Sequence, residues 1–272
     1  MIAAFEGWND AGEAASTALE HLELSWDATP LASIDPEEYY DFQVTRPHVR
    51  LAGGVTRKIE WQTTRLSVAT LPGTDRHVVL VNGIEPNLRW RSFCRELLDY
   101  VEKLKVTKVI TLGALLTDTP HTRPTPVSGI SYDKASAKAL RVEPSSYQGP
   151  TGIVGVFQNA CVEAGIPAVS FWAAVPHYVS QARVPKAAVA LLHRIEELLD
   201  VEVPLGGLPE QAEEWERTVS EMAEADDEVR EYVRQLEQQA EAESDELSEA
   251  DGDAIAADFE RYLRRRGSGS AG

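Results

Sequence analysis

Two histidines, an arginine and a glutamate stand in short, turn-rich segments where each could act on a ligand. His121 and Arg123 lie in Pro120-His121-Thr122-Arg123-Pro124, and His177 and Tyr178 in Pro176-His177-Tyr178. Glu85 and Asn87 lie in Asn82-Gly83-Ile84-Glu85-Pro86-Asn87, and Asn9 and Asp10 in Gly7-Trp8-Asn9-Asp10-Ala11-Gly12. Thr151 and Gly152 close Gly149-Pro150-Thr151-Gly152. An imidazole titrates near neutral pH and moves protons. A carboxylate serves as a base or holds a hydroxyl. A guanidinium grips an anion through two donors. Gly149–Gly152 opens a helical pattern, so its free backbone N–H groups suit an anion. Asn9, Asp10, Glu85, Asn87, His121, Arg123, Thr151, Gly152, His177 and Tyr178 form the candidate ligand-binding set, and no residue is assigned a catalytic step.

Each segment also has a plainer reading. Gly7-Trp8 and Asn82-Gly83 serve as turns. Asp10 caps the helix that follows it, and Asn87 is the better cap for the helix after residue 88. His121 bonds a backbone carbonyl within a loop stiffened by two prolines. Gly149–Gly152 is no Walker loop, because its lysine is missing. The chain has no G-x-S-x-G, H-E-x-x-H or G-x-G-x-x-G pattern. No metal-ligand spacing appears and no cofactor is expected.

The elements that must position these residues alternate up to about residue 200. Ile2–Phe5, Leu31–Ile34, Val78–Val81, Lys108–Leu112 and Ala168–Ala174 read as strands, with Asn82-Gly83 ending the third. Lys58–Trp61 and Leu66–Leu71 read as a hairpin or meander. Ala11 to Leu22, Trp90 to Leu104, Thr151–Ala164 and a helix opening at Pro185 carry apolar residues at helical spacing. Residues 117–150 read as a long loop of the kind that carries function. Such alternation predicts a three-layer α/β/α domain over residues 1–207 with a mostly parallel, mixed sheet. In such sheets ligands sit beyond the C-terminal strand ends, where the five segments are expected to converge.

The 272 residues hold 26 Lys+Arg against 44 Asp+Glu, a formal charge of −18. Residues 1–207 account for 24 acids and 19 bases, and residues 208–260 for 20 acids and 3 bases. A nucleic-acid protein would carry a basic face instead, so no such partner is expected. No run of about 18 apolar residues predicts a membrane span. Two cysteines cannot build a disulfide framework, and the chain reads as cytoplasmic.

Trp215, Val219, Met222, Val229, Val233 and Leu236 are spaced alternately three and four, interrupted once by Asp226. They predict a helical arm of roughly 45 Å, within an acidic extension over residues 208–266. Phe259 and Tyr262 suggest a second short helix, and residues 267–272 a disordered end. The seam has two readings: packing on its own body, or on a partner.

Phe5 to Gly12, Tyr39-Tyr40-Asp41-Phe42 with Arg46-Pro47, Gly83 to Asn87 with Trp90, Pro120 to Pro124, Tyr147 to Gly152, and Pro176-His177-Tyr178 occur in this order. In these motifs, over roughly residues 1–205, the chain resembles the proteasome assembly chaperone 2-type family in its bacterial, actinobacterial-like branch. The resemblance implies a fold similar to nucleoside phosphorylases, and self-association as homo-oligomers or paired heterodimers; a homotrimer is the working expectation. Proteasome subunits are the implied partners, and no enzymatic activity is implied. Archaeal relatives carry a terminal hydrophobic-Tyr-any motif. Here Tyr262 lies ten residues from the end, which disfavours that docking mode. Two functions follow: an oligomeric, non-enzymatic interaction protein, or a phosphorylase- or hydrolase-like enzyme or sensor holding a small anionic or nucleoside-like ligand.

Overall fold

The computed structural model describes residues 1–52, 56–140, 142–145, 147–179 and 183–242. Phe259, Tyr262 and the expected disordered end lie outside them.

Four strands form the parallel centre of an eight-stranded sheet. They are Ile2–Glu6 (β1), His77–Ile84 (β6), Val109–Thr117 (β7) and Ala168–Pro176 (β10). Their order is β6-β1-β7-β10, with Ile2 opposite Leu80 on one side and Ile110 on the other. Both faces of these strands are covered, so they read as apolar runs rather than alternations. Antiparallel strands Arg65–Thr70 (β5) and Thr29–Ser33 (β2) extend the β6 edge. Val127–Ser131 (β8) runs antiparallel to β10, and Glu143–Pro144 (β9) pairs with β8.

Strand alternation sends side chains to two cores. Ile2, Ala4, Leu80, Ile110, Leu112 and Phe171 pack under helices Ala14–Ser25 (α1) and Pro185–Leu199 (α5). Ala3, Phe5, Val81 and Val109 pack under Trp90–Lys103 (α2) and Ile153–Glu163 (α4). In this second core Phe5 meets Phe93 edge-to-face at 5.8 Å. Each such fully buried aromatic contributes about 2–3 kcal/mol through burial. A chain of buried hydroxyls and an amide crosses the same layer. Thr111 and Ser170 share a 2.6 Å bond, Ser170 donates to Gln158, and Gln158 donates to the Ile130 carbonyl. The three-layer α/β/α expectation therefore holds.

Four local expectations are corrected. The segment around Lys58–Trp61 does not pair with Leu66–Leu71. Thr56–Glu60 (β4) pairs with His48–Ala52 (β3) as a separate two-stranded sheet, because β5 is already taken on both edges. Asn82-Gly83 does not end its strand. Both residues lie within β6, opposite Ala4 and Phe5 of β1, where a parallel neighbour holds the backbone extended. Residues 117–150 are not one loop, since they carry β8, β9 and Lys134–Leu140 (α3). Nor is the acidic seam one straight arm. Leu208–Glu224 (α6) stops at Ala225, and a second helix over residues 227–242 (α7) starts anew. Asp226 is the reason: its Oδ1 accepts from the N–H groups of Glu228 and Val229, the bonds of a helix N-cap.

Both helices fold back on their own body. Leu208 joins the core under α5, with Trp215 packed against it, and Val219, Ala223, Val233 and Leu236 are buried. Val229 is half-buried, while Met222 stays 65% exposed.

Candidate functional site

All five segments reach the C-terminal end of the parallel strands, but they assemble into two clusters. The first joins the ends of β1 and β6 to the start of α4. Gly7 adopts φ 114°, a value glycine takes without strain, and the Asp10 N–H bonds back to its carbonyl at 3.1 Å. That turn tucks Asn9 inside, 1% exposed. Asn9 Nδ2 donates to Glu85 Oε1 at 2.9 Å, and the Ile153 N–H donates to the same oxygen at 2.8 Å. A carboxylate just past the end of β6 thus caps a helix 68 residues away, at the positive end of its dipole. Gly152 is required there, because a Cβ would overlap the Asn9 carboxamide. The position expected for an external anion is filled by Glu85.

Asp10 looks the other way. Its Oδ1 accepts from the Ala15 N–H at 2.6 Å, and its Oδ2 from the Ser16 hydroxyl. It satisfies the first turn of α1, as the plainer reading held. Burial pushes its carboxyl above the usual range, and the Ser16 and Ala15 bonds pull it back. Asn87 does not cap α2, whose N-terminal flank is Arg89 in the left-handed region. Its Oδ1 instead accepts from the Asp41 N–H at 2.9 Å and the Thr45 hydroxyl at 3.2 Å, pinning the loop after Tyr40.

The second cluster lies under α6 and α7. His121 is 2% exposed. The Tyr178 oxygen accepts from the His121 backbone N–H at 2.8 Å and also lies 2.8 Å from the ring Nδ1, with which it shares a hydrogen bond. On its other side Nε2 shares a 3.0 Å hydrogen bond with Ser220 Oγ on α6. Burial lowers the imidazole pKa, so the ring is held neutral; Glu216 and Glu237 pull the value up and Lys186 down. Burial likewise pushes the Tyr178 phenol up to about 12.

Around this ring the tail makes polar clasps to the body. Lys186 donates to the His121 carbonyl and to Glu216. Thr122 donates to Glu237, and Arg123 pairs with Glu241 at 2.7 Å. The Tyr232 hydroxyl donates to Asp118 at 3.0 Å, beside His177, whose Nδ1 lies 3.2 Å from the same carboxylate. Sequence reasoning missed Lys186, Ser220 and Glu216. One signal was present: a cation in the first turn of a helix opposes its dipole, so Lys186 needed an acid from elsewhere.

Asn9, Glu85 and Gly152 therefore meet, and His121 and Tyr178 meet, but these two groups are separate. Thr151 stands apart from both, near Gly155 and the Tyr132 hydroxyl. Cys94 and Cys161 are buried free thiols, each pushed up to about 12 by burial, so neither is a ready nucleophile. No group of three metal-ligating side chains occurs among the described residues, nor any helix long and apolar enough to cross a membrane.

The architecture is that of an α/β/α protein whose strand-end loops bond to one another and whose acidic tail folds over them. By its match to the PAC2 family profile over residues 4–223, the chain belongs to that family. It is similar to a PAC2 family protein from Streptomyces avermitilis, with 58% identity over 86% of this chain and 98% of that one, at a TM-score of 0.81. A proteasome-assembly chaperone homologue from Mycobacterium tuberculosis shares 59% identity over 85% of this chain and 98% of its own, at a TM-score of 0.78. An archaeal proteasome activator from Pyrococcus furiosus, at 18% identity and a TM-score of 0.58, shares the fold over 81% of this chain and 91% of its own. None of the curated proteins matches the chain significantly.

Proposed function

We propose that the chain is a non-enzymatic interaction protein that engages proteasome subunits as a homo-oligomer in the cytoplasm. One observation carries this reading: the residues that resembled catalytic equipment are bonded to the chain itself. Glu85 caps α4, Asp10 bonds the first turn of α1, and His121 is sealed by Ser220 and Tyr178. A general base needs hydrogen-bond reach to a substrate proton; Asp10 and His121 are buried and bonded within the chain, and Glu85 commits its Oε1 to Asn9 and α4. The relatedness to a proteasome-assembly chaperone homologue supplies the partner class.

The test is affinity capture of the tagged full chain from its own cells, read by mass spectrometry, beside thermal stabilisation by phosphate, nucleosides and nucleotides. Proteasome subunits recovered in stoichiometric amount, with no ligand shift, are expected. A shift approaching that of a saturated site, about 2.7 kcal/mol at 100-fold excess over Kd, with no proteasome subunit captured, would overturn the reading in favour of an enzyme or sensor.

A further inference from the structure

A cleft of about 520 Å³ opens at the N-terminal ends of β1, β6 and β7, at the end of the sheet away from the Glu85 and His121 clusters. Its lining is mainly apolar, with Ile2, Val68, Val78, Val79 and Ile110 among its residues. Leu31 and Leu104 line it too, and remain 42% and 40% exposed. Both the volume and the apolar lining are those of a site for a small organic molecule.

The charge around this cleft runs against that of the chain. Among the described residues Arg76, Lys105 and Lys108 line it and no Asp or Glu does, although acids outnumber bases 44 to 26 in the whole sequence. Asp75, Glu102 and Asp200 stand beside it in sequence but are not part of the lining. Among the described residues none of the three cations forms an ion pair. Part of their charge answers the carbonyl ends of α2 and α5, which close here at Leu104 and Leu199. Arg76 Nη2 donates to the Leu199 carbonyl at 2.8 Å. Two helix ends together present about one negative charge. Three cations exceed it, so an apolar lining is left with a positive rim. The complement of such a lining is a small molecule that is apolar over its length and anionic at one end.

We propose that this cleft binds an amphipathic monocarboxylate of medium chain length, its hydrocarbon chain against Ile2, Val79 and Leu104 and its carboxylate among Arg76, Lys105 and Lys108. The site lies at the opposite end of the strands from the place where such sheets usually hold ligands. It does not depend on whether the chain meets proteasome subunits.

Calorimetric titration of the full-length protein with octanoate, hexanoate, octanol and acetate tests it. Octanoate is expected to bind, and hexanoate to bind roughly tenfold more weakly, because two methylenes leave apolar contact. Octanol keeps the chain without the charge and should bind about tenfold more weakly than octanoate. Acetate should give no heat of binding. Lys105→Glu changes an exposed side chain; it should weaken octanoate about tenfold and leave the thermal midpoint in place. With octanoate present, hydrogen exchange should slow over residues 76–79 and 104–108 and stay unchanged in the loops that carry Glu85 and His121. No binding of octanoate, octanol binding as tightly as octanoate, or full octanoate affinity in Lys105→Glu would overturn the proposal. So would protection confined to the Glu85 and His121 loops, which would place the ligand at the other end of the sheet.

Discussion

The Glu85 cluster and the His121 cluster sit at the same end of one sheet, yet different parts of the chain close them. Around Glu85 the partners all belong to the α/β body: Asn9 from the loop after β1 and Ile153 from α4. Around His121 the body supplies Tyr178 and Lys186, while α6 supplies Ser220 and Glu216. The first cluster is part of how the domain folds. The second forms only when the acidic tail returns to the body. Loss of the tail contact should therefore uncover His121 and leave the Glu85 cap untouched.

The largest expected effect falls on the first cluster. Glu85→Ala leaves the Ile153 N–H and the Asn9 amide without their common acceptor. Charge-assisted bonds and unsatisfied buried donors set the cost at about 3 kcal/mol. Urea unfolding should show that loss, while hydrogen exchange in α6 and α7 stays as in the parent chain. Exchange that rises equally in the tail would show that the clusters are coupled.

Gly152→Ala tests the same cluster by overfilling. The added methyl meets the Asn9 carboxamide, which Glu85 holds fast. Overpacking of this kind costs about 2 kcal/mol. Combined with Asn9→Ala, the clash disappears, so the double variant should lose less than the sum of the single losses. Additive losses would mean that Asn9 and Gly152 do not touch.

These two clusters also show what a linear reading reaches. Asp10 as a cap was legible because cap and helix adjoin in sequence. The parallel strands were legible because their runs are apolar on both faces. Convergence at the C-terminal strand ends was legible from fold rules, but not the division into two groups. Glu85 and Ile153 stand 68 residues apart, and nothing local in either says that one satisfies the other. The spacing of Trp215 to Leu236 marks an apolar seam, but spacing alone does not show that Asp226 starts a new helix. Nor does it show that Val219 and Leu236 are spent on the chain's own body while Met222 is left outside.

Acid should separate the clusters by pH. The folded His121 pKa lies below its ordinary value near 6.5. As pH falls through 6.5, the unfolded or detached state therefore binds the proton first. The stability held at neutral pH is lost over the window from 6.5 down to the folded value. Protonation also places a cation near Lys186, although Glu216 and Glu237 offset part of it. Exchange in α6 should rise between pH 7 and pH 5.5, with the amides at the start of α4 protected throughout. Ser220→Ala removes the hydrogen-bond partner of His121 Nε2 and should cost about 1 kcal/mol at neutral pH. A flat profile in α6 would mean that the tail does not depend on the neutral ring.

The smallest effect belongs to the residue that looked most like an anion grip. Arg123 and Glu241 are 46% and 67% exposed in their side chains, so water screens their attraction. Exposed pairs of this kind are worth a few tenths of a kcal/mol. Arg123→Ala should therefore leave the global unfolding midpoint within error of the parent chain. Its effect should appear only locally, as faster exchange in the last turns of α7, where Glu241 is released. The same local rise should follow from 0.5 M salt on the unmodified chain, because both remove one attraction. If Arg123→Ala lowers global stability by more than 1 kcal/mol, the guanidinium holds something other than Glu241, and the division into a body cluster and a tail cluster is drawn in the wrong place.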